Sequence, residues 1–285
     1  MDLAKLKDVY PGMDCINISF AQPDMTYTKS SFNGTGLQFS QDFEVVVAAI
    51  HILKSKGVTV MLSIGGGAYW SGTKSCNVEA WVRLANDLGC DGIDIDWEND
   101  ADHDYELTNV IKLLTAPGFN LKLSFAGFST GAYGKDGSTY KGMNIDAMVN
   151  IGDKVDWINI MTYDAGTEYD PLGALDCYRI YYGGVLNIGF EVGVQGWGGA
   201  LLSRDDVVRM ATYAKNNNPN NGAFIWAIGK AGNPSVSDIV SICSGIFNGA
   251  NKPAVTIPVP LPTPVSSGGT DSITCGVCKT VYLKK

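Results

Sequence analysis

The chain is predicted to fold as an α/β protein whose parallel sheet closes into a barrel. Three observations predict this class. Short, nearly all-apolar runs alternate with helical periodicities from residue 15 to residue 248. The repeat length of about 25 to 40 residues suits strand–helix units. No dinucleotide or nucleotide fingerprint follows any strand: Gly65-Gly66-Gly67 comes after one, but lacks the Gly-x-Gly-x-x-Gly pattern and any Gly-Lys-Ser/Thr. A doubly wound open sheet is the alternative within the same class.

Taken in order, Cys15–Phe20 is the first clear strand, and residues 21–39 form a polar loop rich in Gly and Ser. Phe43, Val46, Val47, Ile50 and Leu53 recur at helical spacing over 42–56, and Gly57 ends that helix. Strand 58–64 runs into the glycine triplet. Helix 77–88 stops at Gly89 and precedes the strand within 91–98. Helix 105–114 is closed by Pro117-Gly118. Strand 121–126, helix 144–150, strand 155–164, helix 175–182 and strand 185–190 follow. Ser203 with Asp205 and Asp206 caps a helix over 207–215, and strand 223–228 and helix 236–247 complete the alternation. Seven strands can be counted, one fewer than an eight-stranded barrel needs. Only one helix lies between the last two strands, so no large α+β domain is inserted there. Residues 1–250 are assigned to the barrel. Residues 251–269, with Pro253, Pro258, Pro260, Pro262, Pro264 and Ser266-Ser267-Gly268-Gly269, read as a linker, and 270–285 as a short Cys-containing tail.

Composition narrows the function. Of 285 residues, 45% are hydrophobic and 18% charged, so a large core is expected. The net charge of −8 disfavours nucleic acid, whose phosphates call for a basic surface. A neutral polymer is compatible with it, and 6 Trp and 13 Tyr supply faces that either pack in a core or stack on sugar rings. No apolar run is long enough to cross a membrane, and the first ten residues lack the apolar segment of a secretory signal. Of the seven cysteines only Cys275 and Cys278 are close together; a disulfide or free thiols suit them better than zinc, which would need further ligands.

The chemistry concentrates in Asp91-Gly92-Ile93-Asp94-Ile95-Asp96-Trp97-Glu98. A strand alternates its side chains, so Ile93, Ile95 and Trp97 face one way and Asp94, Asp96 and Glu98 the other. Three acids on one face repel one another and resist burial. The pattern suits a solvent-facing acidic stripe, a hard-cation site, or an active site at the end of a strand whose pKa values are pushed apart. Asp91 is off the parity of the other three and suits an anchor at the strand's start.

This octet matches the Asp-x-x-Asp-x-Asp-x-Glu signature of glycoside hydrolase family 18, the chitinase family, which the chain resembles over residues 13 to 248. Ser63-Ile64-Gly65-Gly66 is similar to that family's Ser-x-Gly-Gly, and Met161-Thr162-Tyr163-Asp164 to its Met-x-Tyr-Asp. Trp226 falls where the family places the tryptophan that floors the sugar pocket. The resemblance implies a (β/α)8 TIM barrel, although the family's usual first strand is not evident: Lys5–Val9 is a poor strand, and Val255–Val259 would be a proline-rich substitute.

What the resemblance implies chemically is hydrolysis between N-acetylglucosamine units, in which the substrate's own acetamido oxygen is the nucleophile and the configuration is retained. Glu98 is then the general acid, Asp96 steadies the acetamide and Asp94 shares a proton with Asp96. Tyr163 positions the acetamido oxygen. Asp164, Trp226 and Met161 contact the sugar, and Trp70 and Trp197 line outer subsites. No cofactor or metal is implied. The partners implied are chitin or N-acetylglucosamine oligosaccharides, and the expected location is extracellular. The short connection between the last two strands favours endo-type cleavage in an open groove. An endo-β-N-acetylglucosaminidase acting on N-glycans and a non-catalytic, lectin-like barrel are the other readings.

Overall fold

The strand that carries the acids is built by its flanks. In the computed structural model, β1 (Cys15–Ala21), β2 (Thr59–Gly65), β3 (Gly92–Asp96) and β4 (Lys122–Gly127) precede β5 (Trp157–Ile160), β6 (Val185–Glu191) and β7 (Gly222–Trp226). The structure describes residues 2–70, 75–98, 103–116, 119–133, 141–248, 272–274 and 281–283. Helices α1 (Leu6–Val9), α2 (Phe43–Ser55), α3 (Gly67–Trp70), α4 (Val78–Leu88) and α5 (His103–Leu114) belong to a first unit, Met1–Ala126 with Lys154–Trp157. Helices α6 (Ile145–Ile151), α7 (Pro171–Tyr181), α8 (Arg204–Asn217) and α9 (Val236–Asn248) belong to a second, Gly127–Asp153 with Ile158–Lys285.

In the first unit the strand order is β1-β2-β3-β4, all parallel, and in the second β6 pairs in parallel with β7. Order follows sequence, as in a (β/α)8 TIM-barrel chain, without the reversal that marks a doubly wound sheet. Apolar residues drive the layering. Ile93 and Ile95 are fully buried, as are Leu84 and Leu88 of α4 and Ile50 and Leu53 of α2. Helix ends follow local chemistry: Asn77 accepts the N–H of Ala80 at the start of α4, and Gly89 closes it at φ +76°, a left-handed turn that glycine makes without a Cβ clash. Ser203 and Asp206 form a reciprocal cap on α8.

One device repeats. The residue just before β3, β5 and β7 accepts a backbone N–H from the second residue of the preceding strand. Asp91 takes Val60 N–H (2.8 Å), Asp156 takes Leu123 N–H (2.8 Å) and Asn221 takes Leu186 N–H (3.0 Å). Asp91 also pairs with Lys54 at 2.9 Å, which places it as an anchor at the foot of β3. Asn221 is shared with Arg179, a half-buried guanidinium that donates to Asn217 and Asn221 side chains and to the carbonyls of Tyr182 and Gly184, at 2.7–3.1 Å.

Some boundaries differ from expectation. The strand expected over 155–164 ends at Ile160, because Thr162 turns its hydroxyl to Gly189, donating to the carbonyl and accepting the N–H. Helix α7 begins at Pro171 rather than Leu175: Asp170 caps it and Pro171 fills the first position. Residues Leu3–Lys5 and Leu6–Val9 are helical, so no strand precedes β1 among the described residues. β1 and β7 each border a single strand, and Gly222–Ile225 are only half-buried. Residues 192–221 hold one helix, α8. The Val255–Val259 segment, the linker and the Cys275–Cys278 pair lie outside the described residues; Ser272–Thr274 and Val281–Leu283 pair as an antiparallel ribbon.

Arg179→Met should lower the free energy of unfolding by about 3 kcal/mol in urea titrations, since it strands several buried acceptors. Arg209→Ala, at an exposed pair with Asp206, should change it by no more than ~0.5 kcal/mol. Equal effects would mean that the guanidinium is not the node described.

Candidate active site

Parallel register brings specific neighbours to each acid on β3. Ser63 of β2 and Ser124 of β4 flank Asp94 in one lateral row, and Gly65 and Ala126 flank Asp96 in the next. Both serine hydroxyls donate to Asp94, Ser63 to Oδ2 at 2.8 Å and Ser124 to Oδ1 at 2.5 Å. A buried carboxylate is tolerable when donors meet it. The small flanks at Asp96 leave room for its side chain to turn. Asp94 and Asp96 are 2% and 7% exposed, which removes the solvent-facing stripe as a reading.

Glu98 follows the strand and is half-buried. The glycine triplet makes space for it. A Cβ at Gly67 would sit 3.2 Å from Glu98 Oε2, and one at Gly66, where φ is +75°, would enter the Phe20 ring. Gly66 N–H donates to the Asp96 carbonyl at 2.9 Å, tying the triplet to the acidic strand. Burial pushes the Asp96 carboxyl well above the ordinary 3.8, and the negative charges of Glu98 and then Asp94 push it further. The ladder therefore keeps a proton that a solvated carboxylate would lose. Trp97 packs on the opposite face, 1% exposed.

The second unit gathers another set at the C-terminal ends of its strands. Tyr163 is buried, with its ring 5.9 Å from that of Phe224. Met161 is half-buried and donates its N–H to the Gly127 carbonyl. Asp164 adopts φ +55°, and Gln195 makes that turn stable: Asp164 N–H donates to Gln195 Oε1 at 2.7 Å, while Asp164 Oδ1 accepts the N–H of Trp197 at 2.9 Å. Trp197 is 87% exposed on a loop pinned by these bonds. Trp226, at the end of β7, is 36% exposed and lies in register with Glu191 of β6. Glu191 is buried and its Oε1 accepts from the Lys230 ammonium.

Asp94, Asp96 and Glu98 thus come together in the first unit, and Tyr163, Asp164, Trp197 and Trp226 lie at strand ends or adjoining loops in the second. Trp70 closes α3, and its side chain lies outside the described residues. Sequence reading missed Ser124, Gln195, Glu191 and Lys230. Ser124 had a signal, a lone hydroxyl inside the apolar run Leu123–Ala126. Glu191 had one too, an acid ending an apolar strand; Gln195 and Lys230 had none.

Comparison with known proteins adds to this geometry. The model of the glycosyl hydrolases family 18 matches residues 6–176. Endochitinase 1 of Metarhizium anisopliae is 30% identical over 164 residues, covering 51% of this chain and 37% of that protein. The matched stretch therefore spans little more than a third of that relative's length. Among solved structures, a GH18 chitinase from Pseudoalteromonas aurantia superposes with a TM-score of 0.63 at 15% identity, over 86% of this chain and 95% of that one. A fungal endo-β-N-acetylglucosaminidase of the same family gives 0.61 at 12% identity, over 84% and 88%. At these identities the two structures speak to the fold alone.

Asp96→Asn tests the buried acid. Because the folded chain holds the Asp96 proton to higher pH than the unfolded chain, this group costs stability progressively as pH rises from about 3.8. The variant should melt a few degrees above the parent at neutral pH and close to it in acid. A difference independent of pH would contradict the assignment.

Proposed function

The chain belongs to glycosyl hydrolase family 18, and on that premise we propose that it is a retaining, endo-acting chitinase that cleaves β-1,4 bonds between N-acetylglucosamine units. The observation that carries this reading is the acid ladder itself: Asp94 and Asp96 buried on one face of β3, with Glu98 at its end above Gly67. The endochitinase name of the Metarhizium relative supports chitin as the polymer. An insoluble polymer also calls for an enzyme that acts outside the cell.

The mechanism assigns each group one task. Glu98 gives its proton to the glycosidic oxygen as the bond from that oxygen to the anomeric carbon breaks. The substrate's acetamido oxygen bonds to the same carbon and forms an oxazolinium ion. Asp96 turns to the acetamido N–H, holds it, and offsets the positive charge that develops. Asp94, fixed by Ser63 and Ser124, shares a proton with Asp96 and takes it as Asp96 turns, so that Asp96 meets the acetamide as a carboxylate. The Tyr163 hydroxyl orients the acetamido oxygen, which gives the attacking atom its near-attack geometry. Water then bonds to the anomeric carbon from the face the leaving group vacated as the bond from that carbon to the acetamido oxygen breaks. Glu98, now a carboxylate, takes the water's proton, the acetamide is restored, and the configuration is retained. Asp164 and Met161 hold the sugar, Trp226 supplies its apolar floor, and the exposed Trp197 stacks on an outer unit. The single helix between β6 and β7, with no large domain inserted there, supports cleavage within a chain.

Proton NMR of a soluble N-acetylglucosamine hexamer is the test. The parent should release β-anomer first, and Glu98→Gln should be at least ~100-fold slower. Release of α-anomer would overturn the retaining mechanism. Inertness toward the hexamer with cleavage of N-glycans would replace chitin as the substrate, and binding of the hexamer without cleavage would replace the enzyme with a lectin-like role.

A further inference from the structure

The roles above leave one charged cluster unused. Glu191 ends β6 with its side chain 3% exposed, and Lys230, four residues past Trp226, gives it an ammonium. Glu191 Oε2 is also buried and has no hydrogen-bond partner among the described residues. Burial raises the Glu191 pKa, Lys230 opposes that rise, and the Asp164 carboxylate adds to it. A buried ion pair contributes to stability only when its remaining oxygens are satisfied. This one leaves an oxygen unmet beside a second acid, so it is a poor stabilising device. It is an effective way to hold an ammonium in one place.

The place is specific. Glu191 and Trp226 are lateral partners at the ends of β6 and β7, so the carboxylate that holds the Lys230 ammonium belongs to the residue next to Trp226 in the sheet. Lys230 is 34% exposed and Trp226 36%. An ammonium has three N–H donors, and Glu191 uses one. A partly exposed apolar face with a fixed donor at its edge is what a sugar ring requires: its C–H face packs on the indole while a ring substituent accepts a hydrogen bond.

We propose that Lys230, held by buried Glu191, is a substrate-positioning residue that donates to an oxygen of the N-acetylglucosamine unit lying on Trp226. This rests on the chitinase reading. The acceptor is a neutral hydroxyl or acetamido oxygen, because Asp164 and Glu191 together outweigh the single lysine and disfavour an anionic sugar.

The test is calorimetric titration of the N-acetylglucosamine hexamer in a Glu98→Gln background, so that binding is read without turnover. Lys230→Met should weaken binding by ~10-fold, the loss of one hydrogen bond to a charged donor. Because that variant leaves Glu191 buried without its partner, the Glu191→Gln/Lys230→Met double variant is made as well. It carries no stranded charge, and it should bind as weakly as Lys230→Met while melting near the parent. In the active background the loss should fall in KM rather than in kcat. Parent-like affinity in the folded double variant would overturn the proposal and leave the chitinase reading intact. No hexamer binding by Glu98→Gln itself would overturn the chitinase reading and this inference with it.

Discussion

Two carboxyl groups on one face of an interior strand, with a third just past its end, are the constraint from which the rest of the first unit follows. Each acid would be lower in energy in water, so each must be met where it stands. Asp94 is met by hydroxyls on both neighbouring strands, and this requires Ser63, Asp94 and Ser124 to share one lateral row. Asp96 is met differently. Its flanks are Gly65 and Ala126, and burial with the charges of Glu98 and Asp94 favours its protonated form. Asp94 is held by two hydroxyls, and Asp96 is the acid whose neutral form burial and its neighbours favour. Glu98, with glycine beneath it, is the third and most exposed member.

Register is what makes this arrangement reproducible, because a slip by one residue would exchange the acids for Ile93 and Ile95. The side-chain clamps at the strand feet oppose such a slip. Asp91 and Asp156 each grip the preceding strand's second N–H, and Asn221 does so in the second unit with Arg179 behind it. The far ends of the strands are thereby free to carry residues that contribute little to stability. Asp164 at positive φ is one of these, held by Gln195, and Glu191 with an unmet oxygen is another. Anchoring chemistry sits at one end of the strands and strained or charged chemistry at the other.

Much of this was legible in the residues. Period-two parity alone separated Asp94, Asp96 and Glu98 from Ile93, Ile95 and Trp97, and the strand's burial on both faces agrees. The glycine triplet and Ser63 were readable because their spacing from a strand is local. Contacts between strands distant in sequence were not. Ser124 meets Asp94 only because β4 lies in register with β3, and Lys230 meets Glu191 across 39 residues of chain. The limits of β5 and α7 were misread for a similar reason. A threonine hydroxyl on Gly189 ends β5, and an Asp-Pro cap starts α7 four residues early, so a side-chain bond outweighed apolar periodicity in both cases.

The central claim is that the acid ladder retains a proton where ordinary carboxylates have lost theirs. Carbon-13 NMR titration of aspartate- and glutamate-labelled protein measures this directly, with Asp96→Asn identifying the resonance. One carboxyl should stay protonated well above the ordinary aspartate range and vanish from the variant's spectrum, since burial and two neighbouring acids both favour the neutral form. Ionisation of every carboxyl in the ordinary range, with Asp96→Asn removing only a signal of that kind, would contradict the account.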